Sequence, residues 1–279
     1  MAYKTLLTVL TDPDRIARPL EQAIALSETC QAHVDAVCLG LDLTQAGFFY
    51  AGADVAMIQS SVQHATEDAG TIEAAARRQL GESGVLHATD KGVAQLADLG
   101  RHVARAGRFC DLAVFGRPYG EGRGSDAEAV VEAALFGARV PVLIVPDEGP
   151  VLRRPQRVVV AWNSSVEAMC AIRAAIPLMK EAQTVHITVI DPPSHGPERS
   201  DPGGALAQFL SRHDIRCEID VLSKTMPRVS EILNRHVTDK DADLVVMGAY
   251  GHSRLSEAII GGSTREMLEH APVPVLMAH

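Results

Sequence analysis

Residues 243–264 read DLVVMGAYGHSRLSEAIIGGST, and this stretch predicts a buried strand that runs into glycine-bearing loops. The apolar run Leu244–Met247 is typical of a strand covered on both faces in a parallel sheet. Gly248 and Gly251 follow it, and a second glycine-rich turn, GGST at 261–264, leads into a helical pattern. Because glycine allows close backbone approach and a helix N-terminus presents unpaired N–H donors, the stretch predicts an anion site.

Two other phosphate-binding motifs do not fit this spacing. A Walker A loop would close with GK[ST], and the dinucleotide-binding fingerprint would read GxGxxG. The spacing here is instead GxxG, nine residues and then GGST. Without the preceding strand, tight turns alone would account for these glycines.

Apolar runs of strand length alternate with helical patterns along the rest of the chain. The predicted strands are 5–10, 34–41, 84–88, 111–115, 140–145, 157–162, 185–190, 216–221, 244–247 and 273–277. Strands that alternate with helices indicate right-handed βαβ crossovers and a parallel sheet covered on both faces. The fold class predicted from the residues is therefore parallel α/β.

The two halves of the chain share sequence landmarks. DLAVFG at 111–116 and PVLIV at 141–145 recur as DLVVMG at 243–248 and PVLMA at 274–278. Such self-similarity indicates two copies of one unit. The proline- and charge-rich segment 146–155 is typical of a linker. We therefore predict an N-terminal domain, 1–147, and a C-terminal domain, 156–279.

Composition argues against several classes of partner. The net charge is −9 and no cluster of Lys and Arg is present, which disfavours nucleic acid. No apolar stretch approaches the ~18 residues of a membrane span. The five cysteines lack CxxC spacing and the eleven histidines lack HxH or HxxxH pairs, so we expect no metal site. We expect a cytoplasmic protein.

The pattern Gly248-x-x-Gly251-x9-Gly261, followed by small and hydroxyl residues, resembles the ATP-binding signature of the universal stress protein family. The words MGAYGHSR and GGSTREML resemble its tandem-domain members. The resemblance covers nearly the whole chain and implies two tandem Rossmann-like domains, each an open five-stranded parallel sheet of order 3-2-1-4-5 flanked by helices. It also implies an intramolecular pseudo-dimer in which the terminal strands of the two domains meet. Pairing between chains, and thus a homodimer, is the alternative.

The resemblance further implies that the C-terminal domain binds an adenine nucleotide, ATP with or without Mg²⁺. The residues predicted to contact it are Ala161, Trp162, Asn163, Val189, Met247, Gly248, Tyr250, Gly251, His252, Gly261, Gly262, Ser263 and Thr264. Two positions depart from the family pattern. Asn163 stands where Asp is common, and Gly262 stands where Ser or Thr is common. His252 either donates to a phosphate or is a solvent-facing histidine, and Asp191 either contacts Mg²⁺ through water or caps its loop.

The N-terminal half departs further from the signature. It retains an acid after the first strand, at Thr11-Asp12, but its later loop reads GRPYGEGRGSD and FGAR at 136–139 stands where a phosphate turn is expected. We predict a degenerate nucleotide site with a structural or regulatory role. The aromatic cluster at 48–50 lines a pocket for an apolar ligand, covers the sheet edge between the domains, or packs onto its own domain.

The resemblance predicts a stress-response binding protein that regulates protein partners still to be identified. No GxSxG, HExxH or Cys–His arrangement is present, so we expect no dedicated catalytic site and at most slow ATP hydrolysis. Two alternatives remain. One is an ATP hydrolase or transferase on the same fold, and the other is a nucleotide-free interaction module that binds a hydrophobic ligand.

Overall fold

The computed structural model describes residues 2–42, 55–192, 200–249 and 262–279, apart from the side chains of residues 55, 56 and 58. These residues form two compact units. The N-terminal unit is Tyr3–Val140, and the C-terminal unit contains Pro141–His279 together with the residues before Tyr3. Segments 43–54, 193–199 and 250–261 lie outside the described residues. The predicted aromatic cluster at 48–50 falls within them.

The N-terminal unit alternates strands with helices. Its strands are β1 (Thr5–Leu10), β2 (His33–Asp42), β3 (His87–Gln95) and β4 (Leu112–Gly116). Its helices are α1 (Ala17–Cys30), α2 (Val55–Ser83), α3 (Leu96–Gly107) and α4 (Ser125–Glu132). A single 3₁₀ turn, Pro13–Arg15, precedes α1, and a π-helical turn, Ala133–Ala138, continues α4.

The C-terminal unit also alternates strands with helices. Its strands are β5 (Val142–Val145), β6 (Arg157–Ala161), β7 (Thr184–Ile190), β8 (Cys217–Leu222), β9 (Leu244–Gly248) and β10 (Val275–Ala278). Its helices are α5 (Val166–Met179), α6 (Gly204–Ser211), α7 (Val229–Asp239) and α8 (Gly262–His270).

Both units contain a parallel sheet, which confirms the predicted α/β class. The order is β3-β2-β1-β4 in the N-terminal unit and β8-β7-β6-β9-β10 in the C-terminal unit. The second of these is the complete 3-2-1-4-5 order implied by the family resemblance. Strands β4 and β9 are apolar and buried along their first four residues, as expected of strands that are covered on both faces.

The terminal strands β5 and β10 pair with each other. Their register is antiparallel and places Val142 opposite Met277, Leu143 opposite Leu276 and Ile144 opposite Val275. This is the strand contact that the resemblance implied. By its contacts β5 lies in the C-terminal unit, so the compact units divide ahead of the linker at 146–155. The sequence boundaries, 1–147 and 156–279, remain a prediction about the repeat.

One aspartate in each unit fixes the start of the first strand against the fourth. Asp111, just before β4, accepts hydrogen bonds from the backbone N–H groups of Lys4 (2.6 Å) and Thr5 (3.0 Å). Asp243, just before β9, likewise accepts from those of Gln156 (2.7 Å) and Arg157 (3.2 Å). Burial raises the pKa of Asp243, although the N–H donors act in the opposite direction. These bonds align the strands whose opposite ends form the candidate site.

Within the residues that the structure describes, no helix is both long and apolar enough to cross a membrane.

Candidate functional site

The carboxyl ends of three strands meet in the C-terminal unit. The register places Ala161, the last residue of β6, between Thr188 of β7 and Met247 of β9. The backbone N–H of Trp162 extends this ladder by donating to the carbonyl oxygen of Thr188, with an N···O distance of 2.9 Å. Because β7 and β9 lie on opposite sides of β6, this edge is a topological switch point, where open parallel α/β sheets bind ligands.

The loop after β6 presents the exposed polar side chain of Asn163 at this edge. Asn163 accepts a hydrogen bond from the backbone N–H of Ser165 through its Oδ1 (3.2 Å). Ser165 in turn caps α5, because its Oγ accepts from the N–H of Ala168 (3.1 Å). With its Oδ1 facing the loop, the side-chain amide of Asn163 offers N–H donors where an aspartate would offer only acceptors.

Gly248 has a packing role that the sequence did not predict. The first turn of α5 lies against it so closely that a Cβ at position 248 would be 2.5 Å from the backbone N of Ala168 and 2.8 Å from the carbonyl carbon of Glu167. Such distances exclude any side chain without a backbone shift. Gly248 therefore holds the N-terminus of α5 against the end of β9.

The second glycine-rich turn begins helix α8. Gly262 and Ser263 are exposed in its first turn, whereas Thr264 is buried. A Cβ at position 262 would meet nothing within 4 Å, so packing among the described residues does not require glycine there. The first turn of α8 carries no acidic residue, so no carboxylate of its own offsets the positive end of its dipole.

The structure brings some of the predicted site residues together. Ala161, Trp162 and Met247 adjoin one another at the strand ends, with Val189 next to Thr188 and Gly248 next to Met247. Val189 and Met247 are buried. Tyr250, Gly251, His252 and Gly261 lie outside the described residues. Within the described ranges, no cluster of three or more His, Cys, Asp or Glu side chains is arranged to hold a metal ion.

Comparison with known proteins identifies the C-terminal half. Residues 155–279 match the family model described as the universal stress protein family. They form a universal stress protein domain. The resemblance on the glycine pattern is thus confirmed for this part of the chain. Universal stress protein Slr1230 from Synechocystis sp. (strain ATCC 27184 / PCC 6803 / Kazusa) is 28% identical over 92 residues, which cover 33% of this chain and 31% of that protein. The chain thus spans less than a third of that relative.

Solved structures extend the likeness in fold to the rest of the chain. A universal stress protein from Archaeoglobus fulgidus DSM 4304 matches 100% of this chain and 96% of its own, with a TM-score of 0.74 and 18% identity. A Pseudomonas aeruginosa UCBPP-PA14 protein, described as a candidate universal stress protein, matches 99% of this chain and 92% of its own, with a TM-score of 0.59 and 16% identity. At such identities the likeness concerns the fold alone.

The N-terminal unit contains a cavity that the sequence did not predict. Its volume is about 480 Å³, and it opens at the carboxyl ends of β1 and β4, next to the start of α4. Thr11 and Asp12, which the sequence did single out, lie in its wall. The missed signal is the connection between β1 and α1, residues 11–16, which is longer than its counterpart 162–165 in the C-terminal unit.

Proposed function

We propose that the universal stress protein domain binds an adenine nucleotide, ATP with or without Mg²⁺, at the carboxyl edge of its sheet. The observation that carries the proposal is the register of β6, β7 and β9, which aligns Ala161, Thr188 and Met247 at a switch point. Both glycine-bearing loops of the family signature follow from this edge in the sequence.

Residues near this edge can contact the base, the ribose and the phosphates of an adenine nucleotide. The buried Val189 and Met247 provide apolar contacts for a base, and the exposed amide of Asn163 can bond to ribose hydroxyls. Backbone N–H groups at the start of α8, from Gly262 onward, would receive the phosphates. The positive end of α8 favours anions because its first turn holds no carboxylate of its own.

The function that follows is regulation by binding, not turnover. A nucleotide changes the activity of a binding protein only if its affinity differs between two states of that protein. We propose that nucleotide occupancy alters a surface recognised by protein partners. The family name indicates that this recognition belongs to a response to stress.

Titration of ATP into the wild type and into Gly262→Asp, with and without Mg²⁺, tests this proposal. The added carboxylate would face the phosphates, so we expect ATP affinity to fall by about tenfold or more. The fold should be retained, because position 262 is open and an acid in the first turn of a helix is favourable. Gly262→Ala is the matched control. Equal ATP affinity in all three proteins, or no binding by the wild type, would overturn the proposal.

A further inference from the structure

The cavity of the N-terminal unit is a built pocket at a switch point of its own. Strand β1 lies between β2 and β4, and the cavity opens beyond the carboxyl ends of β1 and β4. Leu41, Phe115 and Val131 are among its apolar walls. A volume of about 480 Å³ lies within the ~300–1,000 Å³ typical of small-molecule sites.

The two units differ at the glycine that ends the fourth strand: the space around Gly116 is open, whereas Gly248 packs against a helix. Gly116 ends β4 as Gly248 ends β9, but a Cβ at position 116 would meet nothing within 4 Å. The 3₁₀ turn Pro13–Arg15 separates β1 from α1, and among the described residues no helix turn lies against Gly116 as the first turn of α5 lies against Gly248. The longer connection therefore leaves space over the strand end.

Arg15 links the connection after β1 to the loop after β4, and both segments line the cavity. The guanidinium of Arg15 pairs with Asp12 (Nε···Oδ2 3.2 Å) and donates to the carbonyl oxygen of Gly122 (3.2 Å). Gly122 has a positive φ of 69°, and a Cβ there would lie 2.8 Å from the Arg15 guanidinium. The positive φ favours glycine at 122, and a side chain there would displace the Arg15 guanidinium.

The charge of the pocket disfavours phosphate. Asp126 lies in the first turn of α4, and its carboxylate accepts a hydrogen bond from the Thr11 hydroxyl (Oγ1···Oδ2 2.7 Å). The same carboxylate folds back over Gly124, where any Cβ would clash with it. The positive end of α4 is thus occupied by the protein's own anion. Among the described lining residues, three arginines are balanced by three aspartates: Arg15, Arg117, Arg123, Asp12, Asp68 and Asp126.

From this geometry we infer that the N-terminal unit holds a second ligand site, for an uncharged, hydroxyl-bearing molecule of nucleoside size, that discriminates against polyphosphates. The apolar walls take the flat or hydrophobic part of the ligand. Asp12 and Asp126 accept hydrogen bonds from its hydroxyl groups, because carboxylates are acceptors only. The Thr11 oxygen also accepts, because its own proton is donated to Asp126. The choice of adenosine as a probe rests on the proposed nucleotide site of the C-terminal unit.

Calorimetric titration with adenosine and with ATP, in the Gly262→Asp background, tests this inference. We expect adenosine to bind at least about tenfold more tightly than ATP. Gly116→Met should lower the number of adenosine molecules bound per chain by one, because the side chain would enter the cavity without a clash at its Cβ. Gly81→Met, at an open position outside the pocket, is the matched control and should bind adenosine normally.

Asp126→Asn supplies the second, independent readout. Asparagine can still accept the Thr11 hydroxyl bond but lacks the charge, so the preference for adenosine over ATP should shrink by about tenfold. Absence of adenosine binding, an unchanged number of bound adenosine molecules in Gly116→Met, or an unchanged preference in Asp126→Asn would overturn the inference. Because these readouts use the Gly262→Asp background, they stand even if the C-terminal unit binds no ATP.

Discussion

Gly248 and Gly116 end equivalent strands in the two units, but their surroundings differ. Gly248 is pressed by the backbone of α5, whereas Gly116 faces open space. The sequence placed Gly248 in a phosphate-binding pattern but could not reveal its packing role. That role depends on a contact with residues 167–168, which are far away along the chain. A glycine motif indicates where the backbone needs glycine, but only the folded structure shows which atoms surround that glycine.

We expect Gly248→Ala to lower the free energy of unfolding of the C-terminal unit by about 1–3 kcal/mol, because a methyl group at that position requires a backbone shift. Gly116→Ala is the matched variant and should change the stability of its own unit by at most about 0.5 kcal/mol. Urea unfolding can follow both variants. The chain's single tryptophan, Trp162, reports on the C-terminal unit, and circular dichroism reports on both units. Equal costs for the two substitutions would contradict this assignment.

A partly buried polar cluster joins three elements of the C-terminal unit. Asp220 on β8 accepts hydrogen bonds from His186 Nδ1 on β7, His236 Nε2 on α7 and Lys240 Nζ just after α7, each at 3.0 Å. Glu218 faces His186 from 3.8 Å. Burial works against ionised Asp220, but the Lys240 ammonium and both histidines outweigh it and lower the pKa of Asp220. Burial lowers the pKa of His236, despite the neighbouring carboxylate.

This cluster predicts a pH dependence of stability. Because the pKa of folded His236 lies below its ordinary value of 6.5, the unfolded chain takes up a proton more readily. Its contribution to stability is therefore complete above about pH 6.5 and is lost as pH falls through the folded pKa. The stability that ionised Asp220 contributes is lost only at lower pH, because its pKa in the folded protein is below its ordinary value. We expect the free energy of unfolding to fall between about pH 7.5 and pH 5.5, with a smaller fall in His236→Gln. Guanidinium unfolding followed by Trp162 fluorescence measures both, and an identical fall in the two proteins would contradict the prediction.

The elements show where sequence patterns succeed. Apolar runs predicted β4 and β9 because strands buried on both faces must be apolar. The prediction for the third strand was wrong in position: it covered 84–88, whereas β3 is His87–Gln95. The described pairing of β3 is with β2, along nine residue pairs. The strand is partly exposed and largely polar, so no apolar run marks it.

At the scale of the whole molecule, shared sequence landmarks predicted the repeat. They could not predict how the candidate ligand sites of the two copies differ. The sequence pointed to a degenerate site in the N-terminal unit, from the lost phosphate turn at 136–139. The structure adds an open cavity there, which depends on the path of residues 11–16 and on the position of the Asp126 carboxylate. Loop paths and side-chain placement of this kind leave no periodic signal in a sequence.

Hydrogen–deuterium exchange with and without ATP, read by mass spectrometry on the wild type, locates the nucleotide most directly. We expect ATP to slow exchange at residues 158–165, at residues 244–249 and in the first turn of α8, because a bound ligand protects the backbone amides that it covers. Residues 112–131 of the N-terminal unit should exchange at an unchanged rate. Protection confined to residues 112–131, or no protection anywhere at millimolar ATP, would contradict a nucleotide site in the C-terminal unit.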